Sequence, residues 1–140
     1  MNVAQSPATL AVLGAGSWGT ALAILLSRNG YAVRLWGHDP GHMAALQRER
    51  KNQAYLPDTR FPELVQPLAD LADAVLGAEA VILVVPSHAF SEVVRGLAPL
   101  LPPSLGLTWA TKGFEPGGGR LLHEVAREIL GNRDLAVISG

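Results

Sequence analysis

Gly14-Ala15-Gly16-Ser17-Trp18-Gly19 is a G-x-G-x-x-G run set between a short apolar segment and a helical one. No other feature of the chain restricts its fold so strongly. In that context the first glycine permits a tight turn, the second lets backbone approach a pyrophosphate, and the third lets the helix pack close to the strand. The unpaired N–H groups at the helix start, with the positive end of its dipole, then face an anion. Gly14, Gly16 and Gly19 are therefore cofactor-binding candidates.

The rest of the chain supports the strand–helix alternation that this loop needs. Thr9–Leu13 reads as a buried first strand and Ser17–Asn29 as a helix closed by Gly30. Ala32–Trp36 is a second strand. Pro40–Lys51 is a helix, with Asp39 placed to cap it and proline at its first position. Its charged end, Arg48 to Lys51, reads as a solvated face. Asn52–Pro62 reads as a proline-bracketed loop with embedded aromatics. A weak strand over Leu64–Leu68 and a short helix over Leu71–Leu76 follow. Ala80–Val85 is the clearest buried strand, Ser87–Leu101 a helix stopped by Pro102-Pro103, and Leu105–Ala110 another strand. After a glycine-rich loop, Thr111–Gly119, an amphipathic helix spans about Arg120 to Leu130, and Leu135–Ser139 is a last strand. Repeated βαβ units predict an α/β fold: a Rossmann-type, doubly wound, mostly parallel sheet with helices on both faces. Hydrophobic residues at 49% and charged residues at 16% suit such a sheet, whose strands are buried on both sides.

Composition also excludes. A net charge of −1 gives no electrostatic reason to expect nucleic acid or an anionic membrane. Without cysteine there is no disulfide framework, thiolate nucleophile or Cys-based zinc site, and no metal centre is expected. The start of the chain lacks a basic n-region and a long apolar stretch, and no apolar run can span a bilayer. A cytoplasmic protein is the expectation. One domain fits 140 residues, which is short for an enzyme with two substrates.

Ligands of doubly wound sheets bind beyond the carboxyl ends of the strands, so the loops that follow strands hold the remaining candidates. Asp39 has the spacing of a ribose-binding acid and equally that of a helix cap. With no acid at Trp36 or Gly37, a 2′-phosphate meets no obstacle, and His38 reads as its partner, as a stacking surface for adenine, or as an exposed loop histidine. Ser87 reads as a helix cap rather than a nucleophile, and His88 as a surface residue. Phe90 reads as pocket wall or as core. Lys112 is the only charge between Arg95 and Glu115. It is either a ligand for a substrate phosphate or carbonyl, or a solvated loop lysine.

Three segments in this order, Gly14 to Ala23, Val85-Pro86-Ser87-His88-Ala89-Phe90 and Ala110-Thr111-Lys112-Gly113, resemble the bacterial NAD(P)-dependent glycerol-3-phosphate dehydrogenases. Leu35 to Asp39 and Asn52-Gln53-Ala54-Tyr55-Leu56-Pro57 are similar to that family too, so the resemblance covers about Leu10 to Gly140. It implies reversible reduction of dihydroxyacetone phosphate to sn-glycerol 3-phosphate for phospholipid synthesis, with NADP(H) or NAD(H) as cofactor. By matching position it implies cofactor contacts for Ser17, Trp18 and His38, and a place for Lys112 beside nicotinamide and substrate. It makes Gly140 the start of a substrate-contacting loop, Phe90 a pocket wall and Tyr55 an adenosine-side contact. Family members run to more than twice this length, are expected to be homodimers, and carry a helical second domain with the general-acid lysine. The resemblance therefore implies a dinucleotide-binding domain over residues 1–140 without a catalytic acid of its own. Rival readings are another hydroxyacid or ketopantoate-type reductase, a non-catalytic NAD(H) sensor, and a methyltransferase binding S-adenosylmethionine.

Overall fold

The computed structural model describes residues 7–111, 119 and 121–138. Lys112 and Gly140 lie outside them.

Strand β1 (Thr9–Leu13) runs into helix α1 (Ser17–Arg28), and β2 (Ala32–Trp36) into α2 (Pro40–Glu49). A short ribbon, β3 (Lys51–Asn52) and β4 (Leu56–Arg60), comes next, followed by β5 (Val65–Leu68) and α3 (Leu71–Val75). The second half holds β6 (Ala80–Leu83), α4 (Ser87–Leu97), β7 (Leu107–Trp109), α5 (Leu122–Leu130) and β8 (Leu135–Val137). Six strands form one sheet in the order β5-β2-β1-β6-β7-β8, and every pairing in it is parallel. The chain builds outward from β1 through β2 to β5, then crosses back to place β6 on the other side of β1. The sheet's topological switch point therefore lies between β1 and β6, and a crevice opens there at the carboxyl ends.

Successive strand residues face opposite sides, which explains the continuous apolar runs. Ala11 and Leu13 of β1 join Leu83, Phe90, Val94, Leu107, Trp109 and Val125 in the core under α3, α4 and α5. Val12, between them, joins Ile24, Leu35, Met43, Leu46 and Phe61 in the core under α1, α2 and the ribbon.

Two expected elements differ. Asn52–Pro62 is not a plain loop: β3 and β4 pair antiparallel, with Lys51 opposite Arg60 and a register shift before Asn52. Pro57 is compatible with this because a two-stranded ribbon has a free side where no N–H is needed. Helix α4 ends at Leu97, four residues before the expected Leu101. Pro99 supplies no N–H for the carbonyl of Arg95, so the ladder stops, and Leu100 and Leu101 both bond back to the carbonyl of Leu97.

Candidate dinucleotide site

The crevice at the switch point is a cleft of about 860 Å³, within the range of small-molecule sites. Its floor is the glycine loop. Gly14 has φ 131°, a left-handed backbone open to glycine, and a Cβ there would lie 2.3 Å from the carbonyl oxygen of Val84. A Cβ at Gly19 would lie 1.8 Å from the carbonyl oxygen of Gly14, so the first turn of α1 is pressed onto the loop. A Cβ at Gly16 would meet nothing within 4 Å, because that position faces the open cleft. Gly16 is also the N-cap of α1 and brings no side-chain oxygen to the first-turn N–H groups.

Helix α2 starts differently. Asp39 Oδ1 accepts from the backbone N–H groups of Gly41 at 3.0 Å and His42 at 3.2 Å. Of the two readings of Asp39, the structure supplies the capping geometry. A side chain at Gly37 would meet Met43 Sδ at 2.6 Å and Ala15 Cβ at 3.1 Å, so packing as well as sequence keeps an acid out of that position. His38 is exposed on the cleft wall. Trp36 is held in that wall by an indole Nε1–H that donates to the carbonyl of Ala69 at 3.0 Å.

The predicted cofactor residues Gly14, Gly16, Ser17, Trp18, Gly19, His38 and Tyr55 all line this one cleft. Phe90 does not. It is fully buried, edge-on to Trp109 with ring centroids 5.4 Å apart, so the core reading replaces the pocket-wall reading. Ser87 lines the cleft as the first residue of α4, whose N-cap is Pro86, which corrects the expectation that Ser87 itself is the cap. His88 is exposed and lines the cleft as well. Thr111 Oγ1 donates to the carbonyl of Val85 at 2.6 Å, tying the strand end that precedes Lys112 to the cleft rim.

Sequence reasoning missed His42 and the buried Asn52. His42 reads as a polar residue on a helix surface and Asn52 as a loop residue, and only the ribbon shows that the chain folds over them.

Residues 9–140 match the family described as NAD-dependent glycerol-3-phosphate dehydrogenase N-terminus. The chain belongs to this family. It is 56% identical over 137 residues to the glycerol-3-phosphate dehydrogenase [NAD(P)+] of Citrobacter koseri, covering 97% of this chain and 40% of that protein. A solved glycerol-3-phosphate dehydrogenase from Coxiella burnetii superposes with a TM-score of 0.92 at 44% identity, covering 97% of this chain and 42% of that one. One from Plasmodium falciparum, at 22% identity and a TM-score of 0.82, covers 96% and 41% and shares the fold. The chain thus spans well under half the length of these relatives. Membership favours the glycerol-3-phosphate dehydrogenase reading over the other reductases and the methyltransferase. No described helix is long and apolar enough to cross a membrane.

Proposed function

We propose that this chain is the NAD(P)H-binding domain of an enzyme interconverting dihydroxyacetone phosphate and sn-glycerol 3-phosphate. One observation carries the cofactor reading: the uncapped start of α1 opens, at the open Gly16 position, into a cleft at the switch point of a parallel sheet. The residues present fit a dinucleotide. Backbone N–H groups of Ser17 and Trp18 would hold the phosphates, while His38 and Tyr55 would flank the adenosine half. With no acid at Trp36 or Gly37, a 2′-phosphate is accepted, which favours NADP(H) while leaving NAD(H) admissible.

When bound, the nicotinamide supplies the hydride, and the domain's task is to orient it and keep water from it. Lys112 belongs beside the substrate, where an ammonium can hold a phosphate or polarise a carbonyl. Gly140 belongs to a second substrate-contacting loop. The general-acid lysine and most phosphate contacts belong to the additional length of the relatives, and that length would also supply the dimer contacts. The enzyme would act in the cytoplasm.

Trp18 is half-exposed within the cleft, so binding is readable in its fluorescence. Titration with NADPH is expected to quench it saturably, with energy transfer into the nicotinamide band, and NADH to bind more weakly. Failure of both cofactors to bind would remove the reading.

A further inference from the structure

Asn52 and Thr20 are fully buried polar side chains, and neither lines the cleft. The Asn52 amide donates through Nδ2 to the carbonyl of Ala15 at 2.9 Å and to Thr20 Oγ1 at 2.9 Å. Its Oδ1 accepts from the backbone N–H of Tyr55 at 3.3 Å and from His42 Nε2 at 3.1 Å. A backbone carbonyl only accepts and a backbone N–H only donates, so these partners fix which way the amide points. They also make His42 Nε2 the donor to Oδ1. Two donors and two acceptor sites are all used, which leaves no other orientation equally satisfied.

Three of the partners line the cleft, each from a different element. Ala15 stands between the first two glycines of the loop, His42 in the first turn of α2, and Tyr55 in the ribbon turn. His42 and Tyr55 also meet edge-on, with centroids 5.8 Å apart. One buried side chain therefore joins the glycine loop to the adjoining wall of α2 and the ribbon. We propose that Asn52, with Thr20, is a positioning residue for the dinucleotide, a role that rests on the cofactor reading above. Its bond turns the Ala15 carbonyl inward, so the loop offers N–H groups rather than a carbonyl oxygen to the phosphates. Its other bonds hold Tyr55 and His42 in the same frame. A purely structural asparagine would stabilise the ribbon and leave the affinity of the folded protein unchanged.

The test compares Kd for NADPH, from Trp18 fluorescence, with the thermal unfolding midpoint in the whole chain. Asn52→Ala is expected to raise Kd at least about tenfold at temperatures where it is fully folded. Thr20→Val, which keeps the volume and leaves one Asn52 N–H unpaired, is the safer variant should Asn52→Ala fail to fold. It is expected to raise Kd about threefold to tenfold. Thr20→Ser restores the hydroxyl at the expense of a buried methyl group, so it should recover most of that affinity while unfolding at lower temperature. A wild-type Kd in folded Asn52→Ala overturns the proposal, as does a Thr20 pair whose Kd follows the unfolding midpoint instead of the hydroxyl. If the wild-type chain binds no cofactor, the reading of function falls first and takes the proposal with it.

Discussion

A Cβ at Gly19 would lie 1.8 Å from a backbone oxygen, whereas one at Gly16 would meet nothing within 4 Å. The two glycines therefore fail differently. Gly19→Ala must push α1 off the loop, and we expect a loss of several kcal/mol, seen as a markedly lower urea midpoint. Gly16→Ala exchanges one indifferent cap for a slightly worse one, about 1 kcal/mol or less. Its methyl group enters the space where a pyrophosphate would lie, so Kd for NADPH should rise at least about tenfold with stability nearly kept. His38 concerns the choice of cofactor. His38→Asp places a carboxylate beside the expected 2′-phosphate, so the preference should move toward NADH by about tenfold or more, read as the ratio of the two Kd values. An unchanged ratio would place the 2′-phosphate elsewhere.

Among the elements, those with a periodic apolar face or strong punctuation were legible in sequence, and those made by long-range contact were not. The glycine loop, the capped α2 and the buried β6 carry their signals within a few residues. The β3–β4 ribbon does not, because Asn52 and Pro57 read as turn residues until the ribbon is seen packed on α1 and α2. The cleft followed the same division. Seven of its expected residues line it, six at the ends of β1 and β2 where the strand pattern points, and Tyr55 in the ribbon turn, where only the resemblance pointed. Phe90, for which sequence left pocket wall and core both open, takes the core position because its place on α4 turns it inward to Trp109. His42 and Asn52 act through partners far along the chain, a relation that spacing cannot reveal. Asp39 is a case where a local signal has a local consequence. Asp39→Ala leaves the N–H groups of Gly41 and His42 to water and should cost about 1 kcal/mol, measured by urea unfolding.

At the scale of the whole molecule, the cleft lies where the two cores meet. The glycine loop and α2 belong with the core around Val12 and Met43, and α4 with the core around Leu83 and Trp109. A dinucleotide in the cleft would touch Trp18 and His38 on one side and Pro86 and Ser87 on the other. A ligand held by both halves stabilises the native state as a unit, by RT ln(1 + [L]/Kd) when it binds the folded chain alone. At a hundredfold excess over Kd this is about 2.7 kcal/mol. For a domain of this size that corresponds to a rise in Tm of roughly 5–15 °C. The rise should appear equally in far-UV circular dichroism, which sees all the elements, and in the near-UV tryptophan signal, to which the buried Trp36 and Trp109 contribute beside Trp18. If far-UV and near-UV curves separate on adding NADPH, the cofactor is anchored to one half alone, and the cleft does not bridge the cores as its lining implies.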